Sequence, residues 1–149
     1  KIFYFPLQFE PEMSILAYSP FFKDQIEIIR LISINLKTND LIVLKENPKM
    51  LNIREKEFYE KISVFNNVVW INPSEESTYI IENSYKVISI SGTATIESAC
   101  LGVDSILFGF PPFKDLIYNN VISEIPLIEL KDQLYKNFSK EEIQNRLFE

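Results

Sequence analysis

Three short segments of this chain collect side chains able to hold an anion or accept a hydroxyl proton. In Ser91-Gly92-Thr93, two hydroxyls flank a glycine, and Glu97 follows four residues after Thr93. Unpaired N–H groups at a helix start hold phosphate without a surplus of cations, and Gly92 would let the backbone approach it closely. A carboxylate at Glu97 would accept hydrogen bonds from sugar hydroxyls, or serve only as a favourable charge at a helix N-terminus. The plainer reading of the whole segment is a turn that caps a helix. The stretch 6–14 carries Gln8, Glu10, Glu12 and Ser14 around Pro6 and Pro11, an unusually polar loop. Lys45, followed by Glu46-Asn47-Pro48, offers one ammonium, or simply a solvated lysine.

Elements that would position these segments follow from hydrophobic patterning. Nearly continuous apolar runs at 2–5, 41–45, 68–71, 87–90 and 105–108, with a weaker one at 127–130, suit strands covered on both faces. Helices are predicted between them. Asp24 with Glu27 has capping-box spacing ahead of Ile26, Ile29, Ile32 and Leu36, and Asn52 with Glu55 precedes Phe58, Tyr59, Ile62 and Phe65. Pro73-Ser74-Glu75-Glu76 starts a short helix, residues 93–101 form another closed by Gly102, and Ser139 with Glu142 opens the last. Alternating strands and helices predict an α/β domain, a Rossmann-like three-layer sandwich with a parallel sheet in order 3-2-1-4-5. In that order the crevice opens between the loops after strands 1 and 4, where Gln8, Glu12 and Ser14 would meet Ser91, Gly92 and Thr93.

The 149 residues fit one domain, 1–149, and being 46% hydrophobic with 3 Gly they have the apolar mass for a packed core. A net charge of −6 argues against a nucleic-acid partner, since 15 basic residues against 21 acidic ones leave no surplus for phosphate neutralisation. With 0 His in the chain, His-ligated zinc and Ser-His-Asp chemistry are impossible within it. The one Cys forbids an internal disulfide, and Cys100, in IESACLG, is expected to be a small buried thiol. There is no Gly-rich turn after the first strand and no Walker A sequence, which disfavours NAD, FAD and P-loop nucleotides. No apolar run approaches bilayer length and no signal-peptide pattern opens the chain, so a cytoplasmic protein is expected. The abrupt start at Lys1 reads as a piece of a longer protein.

The runs FPLQFEPEMSI, DQIEIIRLIS, LIVLKENP and ISGTATIESACLGVDSILFG together resemble the C-terminal half of bacterial capsule and surface polysaccharide biosynthesis glycosyltransferases of GT-B architecture, over about residues 2–113. Pro11, Glu12 and Ser14 match the first-loop motif, Lys45, Glu46 and Pro48 the second, and Ser91, Gly92, Thr93 and Glu97 the third. Gln8 and Asn47 stand where the family carries histidines. These amides keep hydrogen-bond donors but supply no proton chemistry. The resemblance implies a nucleotide-sugar donor, such as a cytidine nucleotide of an acidic sugar, held by Gln8, Glu12, Ser14, Lys45, Asn47, Ser91, Gly92, Thr93 and Glu97. It implies no metal or other cofactor, an N-terminal acceptor half elsewhere, and a full-length protein compatible with peripheral association at the inner face of the membrane. No catalytic residue is assigned. The competing readings are a non-catalytic nucleotide-binding or regulatory α/β module and one half of a nucleotide-sugar epimerase. A phospho-receiver is disfavoured, because the third apolar run leads into Asn72 and Pro73 rather than an aspartate. Finally, Phe110 and Phe113 on the loop 109–113 are expected to face the nucleotide or the missing half, or else to fold back on this domain.

Overall fold

The computed structural model describes residues 1–10, 19, 21–114 and 126–148. Strands β1 (Ile2–Pro6), β2 (Leu41–Lys45), β3 (Val68–Ile71), β4 (Lys86–Ser89) and β5 (Ser105–Leu107) form one sheet ordered β3-β2-β1-β4-β5, every neighbouring pair parallel. This is the predicted order. Helices α1 (Gln25–Asn35), α2 (Lys56–Ile62), α3 (Ser77–Glu82), α4 (Ala94–Leu101), α5 (Leu130–Tyr135) and α6 (Lys140–Asn145) surround it. Among the described residues no helix is long and apolar enough to cross a membrane.

The period of two along β1 divides the core. Phe3 and Phe5 join Ile42, Leu44, Ile88 and Ile106 on one face, under Ile28, Ile29 and Ile32 of α1, Phe58 and Ile62 of α2, and Leu130 and Leu134 of α5. Tyr4, Val43 and Val87 meet Ile80 and Ile81 of α3 and the partly buried Ala94 and Leu101 of α4 on the other. Asp24 caps α1 by accepting the Ile26 and Glu27 N–H groups, and its expected partner Glu27 turns instead to Arg30. Gly102 closes α4 at φ 71°, and Ser139 and Glu142 form the full capping box of α6. At its C-terminal end α4 is tied to α6: Gln144 Nε2 donates to the Cys100 carbonyl at 2.9 Å, and the Lys140 side chain lies against Gly102.

Four expectations are corrected. Residues 127–130 are not a strand: Leu127–Glu129 is a 3-10 turn with Ile128 91% exposed, and the apolar spacing that matters is Leu130 and Leu134, one helical turn apart on α5. Cys100 is exposed, because the inward face of α4 is set by Thr95, Ser98 and Ala99, and the adjacent position looks outward. Asn52 adopts φ 64° in a turn, and α2 starts only after Glu55. Ser74 bonds to Asn72 Oδ1 rather than capping a helix, and α3 starts at Ser77. Of the two loop aromatics, Phe110 and Phe113 are partly buried and pack against Leu107 of their own domain.

Lys86, unread in the sequence, opens β4 fully buried and pairs with Asp104, 4% exposed. Burial holds its ammonium below the usual lysine range, against the pull of the Asp104 carboxylate. Removing one partner strands the other charge, so Asp104→Asn should lower unfolding free energy by about 3–5 kcal/mol in urea titration, whereas the joint Lys86→Met, Asp104→Leu variant should recover most of that loss. At the same end of the sheet, the Tyr135 hydroxyl donates to Asp40 Oδ2 at 2.5 Å, and burial together with that carboxylate pushes its pKa up to about 12. The folded state therefore keeps a proton that the unfolded chain releases near pH 10. The resulting stability is full below roughly pH 10 and lost as pH rises towards 12, and Tyr135→Phe should show a shallower alkaline loss in thermal melts across that window.

Candidate functional site

At the carboxyl edge of the sheet, the chain leaves β1 and β4 side by side. Gln8, two residues past β1, is 8% exposed, and its Nε2 donates to Ser91 Oγ at 3.2 Å across 83 residues of sequence. Its Oε1 is buried with no partner among the described residues. The Gln8 main chain is gripped from both sides. Gln25, in the first turn of α1, accepts its N–H at 2.8 Å and donates to its carbonyl at 3.2 Å, while Arg54 Nη2 donates to the same carbonyl at 2.8 Å. Sequence reasoning passed over Gln25 and Arg54, since an amide behind a helix cap and an arginine in a turn carry no periodic signal.

The Ser91-Gly92-Thr93 turn is organised from beneath. The Gly92 N–H donates to Ser89 Oγ at 2.9 Å, and Thr95 Oγ1 donates to the Gly92 carbonyl at 3.0 Å. Thr93 occupies the N-cap position of α4 with no side-chain cap bond, so its hydroxyl does not serve the first-turn N–H groups. Gly92 does not have a positive φ, and its requirement is clearance: a Cβ there would lie 2.7 Å from Ser89 Oγ and 3.2 Å from Gln8 Nε2.

Lys45, two residues after Val43 on β2, lies on the face covered by α3 and α4, and Glu97 lies on α4 itself. Lys45 Nζ donates to the Glu75 carbonyl at 2.6 Å and to Ser77 Oγ at 3.0 Å, which ties the end of β2 to the start of α3. Burial pushes the Tyr4 hydroxyl above its usual range, a hydrogen bond with Ser77 opposes the rise, and the Glu97 carboxylate adds to it. Glu97 itself is exposed on the first turn of α4. Asn47 is used differently: its Oδ1 accepts the Lys49 N–H at 3.0 Å and caps the 3-10 turn Pro48–Met50. Beside it, buried Glu46 accepts from Arg54, from the Tyr59 hydroxyl and from the Asn47 N–H. The structure thus brings Gln8, Ser91 and Gly92 into one contact set, places Lys45 and Glu97 around Tyr4 and Ser77, and turns Asn47 to a capping task. Glu12 and Ser14 lie outside the described residues.

No protein-family model matches this chain, and no curated protein matches it. Among solved structures, Thermosulfurimonas dismutans KpsC, a beta Kdo 2,7 transferase, matches with TM-score 0.64 at 19% identity, over 99% of this chain and 45% of its own. The putative UDP-N-acetylglucosamine 2-epimerase from Listeria monocytogenes matches with TM-score 0.55 at 14% identity, over 98% of this chain and 38% of its own. The wall teichoic acid polymerase TagF matches with TM-score 0.53 at 16% identity, over 99% and 37%. The fold is an α/β Rossmann-like one, of the kind that forms one GT-B half. This chain spans under half the length of each of these three, and they carry the architecture anticipated from the three motif segments.

The clearance at Gly92 gives a prediction that needs no ligand. Gly92→Ala should destabilise the chain by about 1–3 kcal/mol through forced displacement of the Ser89 hydroxyl. In a Ser89→Ala background the clashing oxygen is gone, so the same substitution should cost clearly less, and a double-mutant cycle in urea should return a non-zero coupling. Strict additivity would mean the two groups do not meet.

Proposed function

We propose that this chain is the donor-binding half of a glycosyltransferase that builds a capsule or surface polysaccharide, and that the Ser91-Gly92-Thr93 turn takes the phosphate of a nucleotide-sugar. The observation that carries the reading is the Gln8 to Ser91 bridge, which joins the loops after β1 and β4 where the connections diverge to opposite faces of the sheet. Helix N–H groups and the Ser91 and Thr93 hydroxyls would hold the phosphate, an arrangement suited to a chain of net charge −6. As the sugar departs, negative charge grows on the leaving phosphate, and fixed dipoles aimed there favour the transition state without forming a bond to it. Glu97 would accept ribose hydroxyls, Glu12 and Ser14 would extend the first-loop wall, and Gln8 would brace the turn from beneath. Lys45 keeps α3 in place beside Glu97, and Asn47 shapes the neighbouring loop. With amides at Gln8 and Asn47, proton transfer falls to residues outside these positions.

The donor we favour is a cytidine nucleotide of an acidic sugar, the class that the resemblance of the three motif segments implies, and the beta Kdo transferase KpsC shares the fold. The acceptor belongs to a second half, so this chain binds and does not turn over by itself, and the complete enzyme works at the cytoplasmic face of the membrane. The similarity to the epimerase supports one alternative, a half of a nucleotide-sugar epimerase. Thermal melts with CMP, UDP, GDP and FMN separate these readings. A ligand at a hundredfold excess over its Kd stabilises by about 2.7 kcal/mol, a rise of several degrees for a chain of this size. CMP should give that rise and FMN none, Gly92→Val should abolish it, and a response to UDP alone would favour the epimerase reading. No response to any nucleotide would overturn the proposal.

A further inference from the structure

Arg54 lies in the turn between Pro48–Met50 and α2, outside every motif read from the sequence, yet its side chain is only 3% exposed. Its donors reach three groups on two loops of the carboxyl edge. Nε and Nη2 donate to Glu46 Oε2 and Oε1 at 2.7 and 3.1 Å on the loop after β2, Nη2 donates to the Gln8 carbonyl at 2.8 Å, and Nη1 donates to Glu10 Oε2 at 2.8 Å on the loop after β1. The guanidinium also sits 4.4 Å from the centre of the Phe58 ring. Its charge is committed to two carboxylates, so it is not an anion ligand. What it controls is Gln8, whose side chain lies under Ser91 and within 3.2 Å of where a Gly92 Cβ would be.

We propose that Arg54 is a positioning residue for the Ser91-Gly92-Thr93 turn: by clamping the Gln8 carbonyl to Glu46 it fixes the Gln8 amide beneath the turn and so sets the turn's height at the carboxyl edge of the sheet. Gln25 holds the Gln8 main chain from the α1 side, and Arg54 supplies the opposing hold from the α2 side. The planar fork is required, because a lysine presents one ammonium and cannot meet Glu46, Glu10 and the Gln8 carbonyl in these directions together. The consequence for ligand binding rests on the donor-site reading above; the positioning itself does not.

The test uses the isotopically labelled chain and reads the Gln8 side-chain amide signals and the hydrogen exchange of the Gly92 N–H. In Arg54→Lys the fold should persist, the Gln8 signals should move, Gly92 exchange should rise at least tenfold, and the Kd for CMP by titration calorimetry should rise at least tenfold. Ile62→Val, a core substitution on α2, should leave both local probes unmoved, which separates positioning from a general loss of stability. A folded Arg54→Lys chain with Gln8 and Gly92 unchanged overturns the proposal. If Arg54→Lys does not fold, Glu10→Gln weakens the more exposed carboxylate that Arg54 Nη1 and Gln25 Nε2 share, and the same two probes should move by a smaller amount; no movement there also overturns it. If the unaltered chain fails to bind CMP while Arg54→Lys still moves both probes, the donor reading falls and the positioning role stands.

Discussion

β1 is enclosed on every side: β2 and β4 occupy its edges, and side chains from both helical layers cover its faces. A strand in that position leaves its sheet while still surrounded by protein, so the polar main chain beyond it must find partners from elsewhere in the fold. Gln8 is where this constraint is met. Its N–H and carbonyl are satisfied by Gln25 and Arg54, and its amide passes the constraint on to Ser91. Much of the carboxyl edge can be understood as the set of groups needed to let β1 end inside the molecule.

The same economy governs charge. Arg54 faces Glu46 and Glu10, and Lys45 is engaged by a carbonyl and a hydroxyl at the head of α3. Cations at this edge thus act as fasteners between loops. On the proposed reading, an anion would be held by N–H groups and hydroxyls rather than by these cations, an attraction short in range and strongly dependent on placement. A site of that kind depends on a rigid backbone more than on any single charged side chain.

What was legible in the sequence is what local physics decides. Five apolar runs gave five strands in the anticipated order, Asp24 and Ser139 cap helices, and Gly102 takes the left-handed conformation that ends α4. The misreadings share another cause. Leu127 and Ile128 look like strand residues in isolation, but the chain there turns so that Leu130 and Leu134 reach the core. Residue type alone points Cys100 inward, whereas helical phase decides its side of α4. The buried polar network stayed invisible because its members lie 17, 46 and 83 residues from Gln8, and nothing in the type or spacing of Gln25, Arg54 or Ser91 advertises a partner at such distances. The three motif segments were found because they place unusual polarity where apolar runs stop, although proximity alone did not reveal that Asn47 caps a turn and Lys45 spans two elements.

The fastening of α4 at its far end bears on how motion could pass through the domain. One end of this helix carries the Ser91-Gly92-Thr93 turn, and the other is bonded to α6 through Gln144 and crowded at Gly102 by Lys140. A short helix held at both ends behaves as a strut: it transmits an axial push instead of absorbing it, because its hydrogen-bonded backbone resists compression far more than its side-chain contacts resist sliding. A displacement of α6 would therefore act on the same helix whose first turn follows Ser91-Gly92-Thr93, about two and a half helical turns away.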